Sequence, residues 1–109
     1  MKFSEMVAHF AEALPGTESF KLAKNDCEAI IRDEPSQAAA AFLIAGFCRT
    51  YVLLYEDQAL SMEFAQRNKE QLLYYMRYLD HALGINDPVV AYQAINEVVQ
   101  QYVASDRIF

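Results

Sequence analysis

The sequence predicts an all-α fold: a compact antiparallel helical bundle of about five helices, with a central apolar helix near residues 36–56. Three observations carry that expectation. Apolar residues recur at three- and four-residue spacing along most of the chain, only three Gly and three Pro interrupt it, and no segment alternates with the period of two that marks a strand. Sixteen Ala add to the bias, since Ala loses no side-chain entropy in a helix whereas Gly and Pro are strong breakers. At 109 residues, 1–109 reads as a single helical domain.

Phe3, Met6, Val7, Phe10 and Leu14 recur at helical spacing and predict a first amphipathic helix over 3–14, with Ser4 as a cap. Pro15-Gly16 stops it, because Pro withholds an amide donor and Gly accepts positive φ. A second helix opens at Thr17 or Ser19, its apolar stripe formed by Phe20, Ala23, Cys27, Ile30 and Ile31. It ends before Pro35, which forces its predecessor out of the α region and then serves as the first residue of helix three.

From Ala38 to Tyr55 the chain is nearly all apolar, with Arg49-Thr50 the main exception. A membrane span needs roughly 20 apolar residues, and this run is shorter and holds a guanidinium near its middle. A core helix wrapped on all sides is the expectation, with no membrane involved. Residues 36 to 83 contain no proline, and an unbroken helix of that length would reach about 70 Å at 1.5 Å per residue. Either the protein is an extended dimer or the helix breaks. A break near 56–60 is expected, with Asp57 capping a fourth helix over 58–83.

Helix four carries a heptad-like series, Met62, Ala65, Lys69, Leu72, Met76, Leu79 and Leu83, which suits a bundle helix better than a short coiled coil. Gly84 is its expected C-terminal stop. Asp87-Pro88 then opens helix five as a cap followed by proline in the first turn, with Tyr92, Ile95, Val99 and Tyr102 on its buried side.

Nine basic and fifteen acidic residues give a formal charge of −6. Such a field repels phosphate backbones and anionic lipid, and no basic cluster offsets it, so no nucleic acid is expected as a partner. Cys27 and Cys48 each sit inside an apolar helical pattern and read as small buried hydrophobes. No export signal is apparent after Lys2, so the expected location is cytoplasmic.

Arg49 stands out because a guanidinium within an apolar helix keeps its charge and needs a carboxylate, a wet pocket or a bound anion. The plainer reading is a structural pair with an acid from another helix, or a head group that reaches out to an edge of the bundle. The functional one makes Arg49 a ligand anchor, with Tyr51 and Tyr55 supplying hydroxyls. Seven tyrosines without a tryptophan are the second oddity. Tyr74, Tyr75, Arg77 and Tyr78 form an interface candidate, because Tyr and Arg are frequent hot-spot residues. The terminal Ile108 and Phe109 are a further candidate pair, placed either back on the bundle or in a partner's groove.

His9 and His81 fall on different helices without supporting Cys or carboxylate spacing, so no metal is expected. There is no Gly-rich phosphate loop, no nucleophile elbow and no signature around either cysteine, so neither catalysis nor a cofactor is expected. What remains is a small acidic protein-interaction module: an adaptor, regulator, or immunity- or chaperone-like binder whose partner is another protein or itself, as a homodimer. The alternative is a small-ligand-binding helical protein or minor enzyme with a pocket around Arg49 and the tyrosines.

Overall fold

The computed structural model describes residues 1–105, and among them there are five α-helices and no strand. The first, α1 (Phe3–Glu12), buries Phe3, Met6, Val7 and Phe10. It stops two residues short of expectation, and Leu14 lies 85% exposed instead of in the core. The cause is Pro15: the chain is already extended at Ala13 (ψ 155°), and Gly16 then turns it at φ 134°, a conformation open to glycine.

From Gly16 the chain enters α2 (Thr17–Asp33), whose apolar stripe is Phe20, Ala23, Cys27 and Ile30. Pro35 opens a single 3-10 turn, Pro35–Gln37, that continues directly into α3 (Ala38–Tyr55). The two helices form an antiparallel hairpin, the broadest helix pairing in the protein. Lys21 near the start of α2 pairs with Glu56 just past the end of α3, and the Phe20 and Tyr51 rings stack with centroids 3.8 Å apart.

After α3 the chain leaves the helix at Glu56, breaking where the sequence suggested. Helix α4 (Met62–Gly84) starts later than expected, because Ser61, not Asp57, caps it by accepting a bond from the Phe64 amide at 3.1 Å. Its last residue is Gly84, but the left-handed residue that ends it is Asn86 (φ 61°), a residue type that tolerates that region. Helix α5 (Pro88–Ala104) begins as read: the Asp87 carboxylate accepts the Val89 amide at 2.9 Å, and Pro88 follows it.

One hydrophobic cluster joins all five helices. Helix α1 is pinned at both ends by side chains from elsewhere. Gln37 accepts the Phe3 amide at 2.8 Å, and the Lys69 ammonium donates to the Ala11 and Ala13 carbonyls at 2.9 and 2.6 Å. Those carbonyls lie at the helix C-terminal end, where backbone acceptors lack intrahelical partners and a cation is favoured.

Two packing expectations need correction. Helix α3 is not wrapped all round. Ala40, Ala41, Ile44, Phe47, Cys48 and Tyr51 are buried, but Phe42 and Leu53 are 73% and 77% exposed. It is also long and apolar enough to cross a membrane by length and composition, although part of it faces the core. Helix α5 is rotated from its expected phase: Ala94 and Val98 are buried, whereas Tyr92 and Val99 open outward. The small Ala94 lets α5 lie close against α4, its principal neighbour.

Replacing Ile44, fully buried, with Ala should lower the unfolding free energy by about 2–5 kcal/mol in urea titration. Lys69→Met keeps the apolar stem but withdraws both bonds from the α1 carbonyls; a loss of about 1–3 kcal/mol is expected. An unchanged Lys69→Met midpoint would show that the bonds do not hold α1.

Candidate functional site

Tyr74, Arg77, Tyr78, His81 and Ile85 follow one another at helical spacing along one side of α4, while Val90, Gln93, Asn96, Glu97 and Gln100 do the same on α5. Between the two rows lies a groove of about 750 Å³, floored by the buried side chains of Ala82 and Ala94. Small residues at the floor create it, because they bring the backbones together and leave the flanking long side chains standing as walls. The α4 wall is aromatic and cationic. The α5 wall is built of amides with one carboxylate. Along α4, Tyr74 to Ile85 spans roughly 16 Å, three helical turns.

Three of the four residues singled out on α4 therefore meet at this groove. Tyr74 and Tyr78 are 52% and 38% exposed, and their ring centroids lie 6.3 Å apart. Tyr75 points the other way. It is buried, its ring 5.5 Å from that of Phe47, and its hydroxyl accepts a bond from Gln71 at 3.1 Å. It belongs to the core and not to a surface. Ile108 and Phe109 lie outside the described residues.

Of the residues proposed to surround a ligand on α3, Tyr51 and Tyr55 lie together and Arg49 stands apart from them. Arg49 and Tyr51 are two positions apart and so point about 200° from one another around the helix. Arg49 is exposed, as a head group at an edge of the bundle would be, and among the described residues it makes no ion pair, so the acidic neighbour from another helix is not there. Tyr51 is fully buried, and the Asn68 side-chain amide donates to its hydroxyl at 2.6 Å. Burial pushes the Tyr51 phenol above its usual value, partly offset by that bond. Tyr55 is half-buried between the rings of Tyr51 and Phe64, 4.9 and 5.4 Å away.

His81 lies in the groove wall and His9 reaches Asp26 at 3.3 Å on the opposite part of the chain. Among the described residues no three His, Cys, Asp or Glu side chains converge as metal ligands would. Both cysteines are free and buried, with the Cys27 thiol 3.2 Å from the Met6 sulfur. Asp80, next to His81, has its carboxyl raised by burial, with the histidine opposing the shift.

The α5 wall escaped the reading of the sequence. Its signal was present, since Gln93, Asn96, Glu97 and Gln100 keep to one helix face, but nothing in the sequence states that this face lies beside the tyrosines. No family model matches this chain, and no curated protein or solved structure matches it.

Desolvation pushes the Cys27 thiol from 9.0 up to about 12 and the Cys48 thiol well above its usual value. Neither should react with iodoacetamide at pH 8 in the folded protein, and both should do so once urea unfolds it. Because the folded thiols hold their protons more tightly, stability should fall as pH rises from about 9 towards 12, where the unfolded chain gains thiolate. Rapid labelling of either cysteine in the native state contradicts this.

Proposed function

We propose that this chain is a non-catalytic protein-interaction module, and that the α4–α5 groove receives an amphipathic helix of a partner protein. The observation that carries the reading is the convergence of Tyr74, Arg77 and Tyr78 on a trough about three helical turns long. A helix laid in such a groove inserts side chains at i, i+3 or i+4, and i+7, and the small floor at Ala82 and Ala94 leaves room for them. Tyr and Arg suit the task because each offers a large contact surface with a polar end. The amides of α5 and the Glu97 carboxylate would meet the polar edge of the incoming helix.

The volume alone would also accommodate a small molecule. Against that reading stands the shape: both tyrosines on the rim are about half-exposed, whereas small-ligand sites enclose most of their ligand. Two free buried thiols fit a reducing compartment such as the cytoplasm, which is the proposed location. The charge of −6 supports protein over nucleic acid as the partner.

The test is a quantitative affinity capture from the native source, comparing the wild-type chain with Tyr74→Ala/Tyr78→Ala. Both rings are half-exposed, so the variant should keep its helical circular dichroism. Recovery of the specific partner should fall more than about tenfold, the scale of losing an interface hot spot. Equal recovery of every captured protein by both chains would remove the groove from the function. A small molecule retained by the wild-type chain in native mass spectrometry, and lost in the variant, would favour the ligand reading.

A further inference from the structure

The outer side of α3 presents Ala39, Phe42, Gly46, Arg49 and Leu53 in one exposed row, at spacings of three and four residues. Phe42 and Leu53 are among the most exposed large apolar side chains of the described residues. None of these residues lines the α4–α5 groove. Helix α5 borders it, because Tyr102 stacks on Phe47 at 4.4 Å, and Val99 and Val103 lie on the flank of α5 turned away from α4. The open parts of Phe42, Leu53, Val99 and Val103 amount to roughly 450 Å², taking ~150–200 Å² for each side chain scaled by its exposure. That is within the ~300–600 Å² of the largest apolar patch on an ordinary monomer, the kind that is often functional, and it matches the apolar share, a little over half, of the ~800 Å² that each partner contributes to a standard interface.

We infer that this face binds a second copy of the chain, in a two-fold dimer with α3 crossing its counterpart antiparallel at Gly46. The row is self-complementary about that point. Leu53 lies seven residues beyond Gly46 and Ala39 seven before it, so the large side chain of one copy meets the small one of the other. Phe42 lies four before and Arg49 three beyond, which sets each guanidinium against the partner copy's phenyl ring, within about 1.5 Å along the axis. A cation over an aromatic face is an attractive pairing, and it removes the need for a carboxylate that Arg49 lacks among the described residues of its own chain. Gly46 is exposed, and a Cβ placed on it would meet nothing within 4 Å. Its missing side chain fills no need of the monomer, but it lets two helices approach to the ~8 Å end of the packing range. Arg49 is also the only charged residue in the row, so self-pairing places no carboxylates opposite one another.

Sedimentation velocity on the full chain separates the outcomes. At tens of micromolar the wild type should sediment at twice the chain mass of 12.4 kDa. Gly46→Gln adds bulk where the monomer has open space and improves helix propensity, so its helical circular dichroism should hold while the dimer Kd rises more than about tenfold. Tyr78→Ala, in the groove, should sediment as the wild type does. A wild-type chain that stays monomeric overturns the proposal, and so does a Gly46→Gln variant that dimerises undiminished. Loss of the dimer in Tyr78→Ala would move the interface to the groove. A monomer that floats with phosphatidylcholine vesicles would assign the face to lipid. Neither of these last two results leaves the proposal standing, and none of the sedimentation outcomes depends on the identity of a groove partner.

Discussion

The fold depends on how Tyr51 is held. Its ring is fully buried, stacked on Phe20 of α2 and against Tyr55 of its own helix, while its hydroxyl accepts a bond from Asn68 of α4. One side chain thereby sets the spacing of three helices. A buried hydroxyl costs free energy unless it is bonded, so the α3–α4 register is fixed wherever Asn68 can reach it. Asn68 itself is fully buried, and among the described residues its carbonyl oxygen lacks a partner, as does that of Gln71 one turn along. The polar seam between α3 and α4 therefore trades stability for a defined register, which an all-apolar seam would leave free to slide.

Once that register is set, the remaining helices have little choice. Helix α2 is tied to α3 through the Pro35 corner and the Lys21–Glu56 pair, and α1 is clasped between Gln37 and Lys69. Helix α5 packs chiefly on α4, meets α3 at Phe47, and buries little besides Ala94 and Val98. The apolar surplus of the composition, 54% with tyrosine included, exceeds what this arrangement can enclose. Much of it emerges on the outside of α3 and α5, and not as a larger core.

How far the sequence could be read follows from the same geometry. Amphipathic helices declare their own phase, which is why α1, α2 and α4 were legible to within about one turn, and most of their core residues with them, Leu14 and Met62 excepted. Helix α3 is apolar on every side, so its pattern contains no phase. Arg49 was the one charged residue carrying that information, and an acid pair or an edge suited it equally until the fold placed it on the outward face. Helix α5 misled for a related reason: its large side chains are on the flanks and its buried contact is made by Ala94, whose size says nothing about burial. Half of the groove was visible in Tyr74, Arg77 and Tyr78. The other half was not, because a site between two helices depends on their pairing, and pairing is set by Ala82 and Ala94 at the seam.

Both proposed surfaces use α5, but on different sides. Glu97 and Gln93 face the groove, while Val99 and Val103 turn away from it. A helix with its narrow buried edge at Ala94 and Val98 can serve two neighbours at once, since neither has to displace the other. Two-fold pairing through α3 would leave both grooves open and carry them on one rigid body. A partner offering two helices would then bind the second at an effective concentration set by the dimer's own geometry. Such a gain comes without any new contact in either groove. It would also give a physical reason for the chain to leave Phe42 and Leu53 in water: their burial would add more to the proposed pair than to a monomer already filled by Tyr51 and its neighbours.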